Sequence, residues 1–111
     1  MNKLRSETRT YATRIKAYLE EAGSLGAQLF VIPPFTSIDV ASSVLADTSV
    51  IVGAQNAHYE ESGAYTGEIS VPMARDAGAR LIEIGHSERR HLFGESDFDV
   101  QKRLAQLLTA A

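Results

Sequence analysis

The chain has 111 residues, 44% hydrophobic content and no cysteine, which gives one modest globular domain with a core and excludes disulfides and thiolate metal sites. Eleven basic side chains stand against fourteen acidic ones for a formal net charge of -3, and no block of Lys or Arg speaks for nucleic acid as a partner. Nowhere do about 18 apolar residues run together, and Met1 to Glu7 lacks the apolar core of a signal peptide, so the sequence reads as cytoplasmic with no membrane partner.

Tyr11, Ile15, Leu19 and Ala22 recur at helical spacing with Arg14, Lys16 and Glu20 between them, which predicts a one-sided first helix ending near Gly23. Gln28 to Ile32 is a short apolar run stopped by Pro33-Pro34, the pattern of a parallel strand buried on both faces. Thr36 then reads as an N-cap with Asp39 as its reciprocal partner, and Ile38, Val40, Val44 and Leu45 as the buried side of a second helix. A second strand follows at Ser49 to Gly53. The next stretch, to Ile69, has no periodicity and is far longer than the usual βα connection of about 2 to 6 residues. Ser70 and Pro72 open a third helix that Gly78 ends, and the strand Arg80 to Gly85 leads to His86. Ser96 and Asp99 cap a final helix whose Val100, Leu104, Leu107 and Leu108 share one side. The order α-β-α-β-α-β-α predicts an α/β fold of about three parallel strands and four helices, either an open doubly wound sheet or part of a (β/α) barrel.

Parallel architectures place their sites at the carboxyl ends of the strands. The run Gly85-His86-Ser87-Glu88-Arg89-Arg90 puts an imidazole where a strand gives way to a helical turn. Period-2 alternation places His86 on the side of Ile82 and Ile84, facing the mouth of a barrel. Backbone N–H groups at the start of the turn oppose a proton on the nearer ring nitrogen and leave the outer N–H free to donate to a substrate oxygen. His58 and His91 read as surface or loop histidines, no His/Asp/Glu set shows metal-ligand spacing, and Glu83 reads as reaching out between helices. Taken alone, Glu88, Arg89 and Arg90 fit a solvated charged turn, Thr66-Gly67 a plain turn, and Asn56 a loop residue satisfying backbone groups.

The hexapeptide at 85–90, with Phe93-Gly94-Glu95 after it, Gly63-Ala64-Tyr65-Thr66-Gly67-Glu68 before it and Gly53-Ala54-Gln55-Asn56 earlier still, resembles the triosephosphate isomerase family in order and spacing. The resemblance runs from Met1 to Ala111. It implies a partial TIM (β/α)8 barrel, with residues 1–111 forming one partial-barrel domain from the barrel's first helix to its fourth. It also implies a cytoplasmic isomerase of glycolysis and gluconeogenesis that interconverts dihydroxyacetone phosphate and D-glyceraldehyde 3-phosphate through an enediolate, with no cofactor and no metal. His86 matches the family's catalytic electrophile, which polarises the substrate carbonyl, and the neutrality of that ring belongs to what the family implies. Ser87 and Glu88 match supporting residues, the serine that holds the catalytic base in the open state and the glutamate beside the catalytic lysine. Gln55, Asn56, Thr66, Glu68 and Arg89 match a dimer interface, in which the 54–69 loop inserts into a neighbouring subunit of the full-length homodimer and Glu68 and Arg89 bridge the two.

The same resemblance sets out what the chain lacks. Met1-Asn2 match the tail of an Asn-x-Lys-Met-Asn run, which places the first barrel strand, its asparagine and the catalytic lysine before Met1. Leu107 to Ala111 match the fourth helix, after which the family supplies its catalytic glutamate, a lid and glycine-rich phosphate loops. A full barrel needs about 250 residues, so the chain reads as a fragment, inactive alone. A sister enzyme resembling L-erythrulose-1-phosphate isomerase shares the His-Ser-Glu-Arg-Arg run. From another class, the chain reads as a non-catalytic half-barrel that binds a phosphosugar or a protein. A flavodoxin-like module wants a glycine-rich or acidic site after the first strand, where this sequence has Pro33-Pro34-Phe35.

Overall fold

Three short parallel strands, β1 (Phe30–Val31), β2 (Ile51–Ala54) and β3 (Leu81–Ile82), lie side by side in that order in the computed structural model, which describes residues 1–23 and 25–109. Phe30 pairs with Ile51 and Val31 with Val52, while Gly53 pairs with Leu81 and Ala54 with Ile82. The Arg80 N–H donates to the Val52 carbonyl at 2.8 Å and the Glu83 N–H to the Ala54 carbonyl at 2.9 Å, so β3 stays in register beyond its two named residues. Helices α1 (Arg5–Ala22), α2 (Ile38–Leu45), α3 (Val71–Asp76), α4 (Ser87–Leu92) and α5 (Asp97–Thr109) alternate with and follow the strands. The parallel α/β order is the one read from the sequence, but the described residues form five α-helices where four are expected. Gly94, at φ +68°, breaks the chain after Leu92, so the turn behind His86 becomes a helix separate from α5.

One face of the sheet carries the core. Val52 and Ala54 pack with Ala12 of α1, with Ile38, Ala41 and Leu45 of α2 and with Ala74 of α3, and Val31 and Ile82 join them from the neighbouring strands. The other face is bare. A Cβ added to Gly53 would lie 2.8 Å from Leu81 Cδ2 and 3.3 Å from Ile32 Cγ1, so those positions share this face, on which Phe30 is 58% exposed. Burial of β1 on both faces therefore fails at Phe30, because α1, α2 and α3 all lie on the opposite side.

Local chemistry explains most of the helix ends. The Ser70 hydroxyl accepts the Met73 N–H at 3.4 Å with Pro72 in the first turn, as expected. Ser96 and Asp99 form a reciprocal box, with Ser96 N–H on Asp99 Oδ2 at 2.9 Å and Asp99 N–H on Ser96 Oγ at 3.2 Å. The Ser96 hydroxyl, and then its backbone N–H, hold the Asp99 carboxyl below its ordinary value. The Thr36–Asp39 box does not form. A 3-10 turn over Phe35–Ser37, closed by Ser37 N–H on the Pro34 carbonyl at 2.8 Å, leads the chain into α2 instead, and Asp39 lies 3.6 Å from Arg5. On α1 the buried line is Thr8 and Ala12 with Ile15 and Leu19 beside them, while Tyr11 is exposed.

The largest departure is α5. Leu104 and Leu108 are exposed and Arg103 is the buried position, because its guanidinium is held from inside. Arg103 Nε donates to the Ala57 carbonyl at 2.9 Å, and its NH1 lies 2.8 Å from Glu95 Oε2. Arg89 Nε donates to the same Glu95 oxygen at 2.7 Å. Ala110 and Ala111, which the sequence reading included in this last helix, lie outside the described residues. No helix among the described residues is long and apolar enough to cross a membrane.

Two outcomes follow from this packing. Glu95→Ala leaves Arg103, with a side chain 9% exposed, without its counter-charge; a buried charge so orphaned costs about 3 kcal/mol, to be read from the urea midpoint, and a loss below about 1 kcal/mol would contradict a buried pair. The bare apolar face should make the isolated chain self-associate. Sedimentation velocity is expected to show species above the 12.1 kDa monomer that Phe30→Lys dissociates, and a wild-type monomer at all concentrations would overturn this.

Candidate active site

Strand β3 and its continuation Glu83-Ile84-Gly85 deliver His86 to the N-terminal end of α4. Ile82 packs into the core against the helices, so by period-2 alternation Leu81 and Glu83 face the bare side of the sheet. Simple alternation would then send His86 with Ile82 towards the helices. It does not go there, because Gly85 adopts φ +68° and reverses the parity. The His86 ring comes to the side of Glu83, with Nε2 3.8 Å from Glu83 Oε1. Two expectations are corrected together. His86 shares its side with Glu83 and not with Ile82, and Glu83 reaches over the open face rather than out between helices.

The Gly85 peptide that sets this direction is held at both ends. Its N–H donates to Glu95 Oε1 at 3.3 Å, and its carbonyl accepts Arg90 Nε at 2.9 Å. Arg90 is itself paired with Asp97, and the Glu95 side chain, 3% exposed, is the carboxylate already shared by Arg89 and Arg103. Sequence reasoning met Glu95 only as part of a motif and gave it no role. The signal that could have found it is the pair of arginines three and four residues on from the histidine, which need a buried anion if either is drawn inward.

His86 is also the N-cap of α4, and the Glu88 N–H donates to its Nδ1 at 3.1 Å. A nitrogen that accepts this bond carries no proton, so the ring hydrogen sits on Nε2. Nε2 is the atom next to Glu83, with side chains 39% exposed at His86 and 36% at Glu83. The pair presents a donor and a carboxylate acceptor side by side at a strand's carboxyl end. Ser87 is exposed, and the Glu88 carboxylate lies out in solvent 3.9 Å from Nδ1.

The remaining site candidates lie on or near the 54–69 loop. Gln55 Nε2 donates to the Ile32 carbonyl at 3.1 Å, tying the end of β2 to that of β1. Asn56 is buried, with an Oδ1 that has no protein partner. Thr66 is exposed in the turn, with Gly67 at φ +93° beside it. Glu68 lies 3.7 Å from His58 Nδ1, and Arg89 is engaged by Glu95, so within one chain Glu68 and Arg89 do not form a pair. His58 is not a surface residue: its side chain is 11% exposed, between Tyr59 and Tyr65 at ring separations of 4.3 Å. His91 is exposed on α4.

The family model described as "Triosephosphate isomerase" matches residues 1–111. The triosephosphate isomerase of Aquifex aeolicus is 45% identical over 108 residues, which are 97% of this chain and 43% of that protein. The L-erythrulose-1-phosphate isomerase of Mycolicibacterium smegmatis is 46% identical over 109 residues, 97% of this chain and 41% of that protein. Among solved structures, the triosephosphate isomerase from Bartonella henselae superposes with a TM-score of 0.85 at 32% identity, covering 99% of this chain and 44% of the other. The chain thus spans less than half the length of the relatives it matches, and its three parallel strands with their helices are part of an α/β barrel. Matched over its whole length and sharing both sequence and fold with these isomerases, the chain belongs to the triosephosphate isomerase family.

Proposed function

We propose that residues 1–111 are one part of a TIM-barrel isomerase that interconverts dihydroxyacetone phosphate and D-glyceraldehyde 3-phosphate through an enediolate, with His86 as its electrophile. The observation that carries this reading is the bond from the Glu88 N–H to His86 Nδ1, which leaves a donor on Nε2 over the open end of the sheet. A neutral imidazole N–H there can polarise a substrate carbonyl and pass a proton between two neighbouring oxygens as charge develops. Ser87 and Glu88 support this site from the first turn of α4. Such a reaction needs neither metal nor organic cofactor. It does need a carboxylate to take a carbon-bound proton, a phosphate nest and a lid. The motifs for these are not in the sequence, so the chain alone is expected to be inactive.

Assembly is the second half of the proposal. Gln55, Asn56, Thr66, Glu68 and Arg89 are proposed to form a homodimer interface in the complete enzyme, with the 54–69 loop reaching the neighbouring subunit. Support comes from Glu68 and Arg89, which lie on the loop and on α4 and do not pair within one chain. The enzyme is proposed to act in the cytoplasm, in glycolysis and gluconeogenesis. A second reading, a tetrulose-phosphate isomerase, is favoured by the similarity to L-erythrulose-1-phosphate isomerases, which at 46 to 49% identity matches that to the triose enzymes. A non-catalytic half-barrel that binds a phosphosugar is the reading left if no turnover is found.

A complete barrel made by grafting residues 1–111 in place of the matching stretch of the Aquifex aeolicus relative, with the rest of that protein kept on both sides, provides the test. The fusion is expected to interconvert the two triose phosphates, His86→Gln to lower kcat by about 100-fold or more, and the 111-residue chain to show no turnover. Equal rates for the fusion and its His86→Gln variant would refute the role given to His86, and turnover by the chain alone would refute its inactivity.

A further inference from the structure

We propose that Arg103 is a positioning residue for His86: by fixing the Glu95 carboxylate from α5, it holds the Gly85 peptide in the conformation that turns the imidazole to the open face. The inference rests on the isomerase reading for the reaction served, and goes beyond it in giving a role in that reaction to a residue remote from the ring in sequence.

Glu95 follows Gly94 in the break between α4 and α5, where no helix sets the direction of its side chain. Its backbone N–H donates to the Arg89 carbonyl at 3.0 Å, yet the carboxylate can still turn about its own bonds. Two cations settle that rotation. Arg89 Nε donates to Oε2 at 2.7 Å and Arg103 NH1 lies 2.8 Å from the same oxygen, which leaves Oε1 for the Gly85 N–H at 3.3 Å. The contact with Gly85 is the longest of the three, so a small turn of the carboxylate breaks it first.

The two arginines are not equivalent. Arg89 is partly exposed and is assigned above to the homodimer interface, where a second carboxylate competes for its guanidinium. Arg103 is buried and tethered on its other side, with Nε donating to the carbonyl of Ala57, itself buried just beyond β2. Arg103 therefore keeps its place whichever carboxylate Arg89 serves, and the buried Glu95 retains a counter-charge throughout. The shape of the cation matters as much as its sign. A planar guanidinium bonds Ala57 with one nitrogen while another meets Glu95, whereas lysine has a single nitrogen for both tasks.

The test uses the grafted barrel and follows two readouts, kcat and KM for the triose phosphates and the tautomer of His86 from its imidazole 15N shifts. In the unsubstituted graft the Glu88 N–H makes Nδ1 an acceptor, so a single tautomer with its proton on Nε2 is expected. Arg103→Met is expected to mix the tautomers and to lower kcat by about 10-fold with KM held within about threefold. Arg103→Lys is expected to recover part of both. In a Glu95→Gln background the further effect of Arg103→Met on kcat should shrink below about twofold, because the group through which it acts is already altered. An equal loss in both backgrounds, or an unmoved tautomer in folded Arg103→Met, overturns the proposal. Should Arg103→Met not fold, Arg103→Lys carries the comparison, and a tautomer and kcat both unchanged there overturn it. If the unsubstituted graft turns over neither triose phosphate, the isomerase reading fails separately, and the tautomer alone decides whether Arg103 positions His86.

Discussion

The site depends on one peptide unit held in a left-handed conformation. Gly85 stands at φ +68°, its N–H on the Glu95 carboxylate and its carbonyl on Arg90, and a Cβ there would meet Arg90 NH2 at 3.1 Å. Glycine is therefore required for the backbone angle, and a side chain there would also push the guanidinium back by a few tenths of an ångström. The reversal it produces turns the imidazole to the open face, and only then does the first turn of α4 meet the ring through the Glu88 N–H. Removal of either hold would leave the strand end free to relax towards ordinary alternation, with the ring directed at the helices.

Much of this was legible in the sequence, and the illegible part has a common cause. Strand order, the Ser70 cap, the Ser96–Asp99 box and the place of His86 at a strand end all follow from local patterns a few residues long. Glu83 was misplaced because parity was counted through Gly85, where one positive φ inverts it. Arg103 was missed because periodicity assigns leucines to the inside, and nothing local tells that a carboxylate eight residues earlier is buried to receive the arginine. His58 lies in the loop, as expected, but its burial is not legible, because its cage, Tyr59 and Tyr65, closes only when the loop folds back to pair His58 with Ser70. Local rules carry elements and caps; long-range electrostatics and loop closure decide which side chains are inside.

Family membership is read from a contiguous run of motifs, and the structure adds a physical reading of why those residues stand together. The Arg89-Arg90 pair is not a solvated charged turn. One arginine is bound to a buried carboxylate and the other to the backbone that aims the imidazole. The charges of the run are thus partly internal scaffolding, and the exposed Glu88 meets the ring through its backbone N–H.

Arg103 adds a second link between two regions that the β2–β3 pairing already joins. Its guanidinium meets the Ala57 carbonyl at the root of the long loop with one nitrogen and the Glu95 carboxylate behind the Gly85 peptide with another. Loop root and strand tip are consequently braced like two beams on a common pin. Any tilt of the loop has to be taken up in that guanidinium or handed on to the glutamate, so the set of the loop and the aim of the ring are mechanically one adjustment.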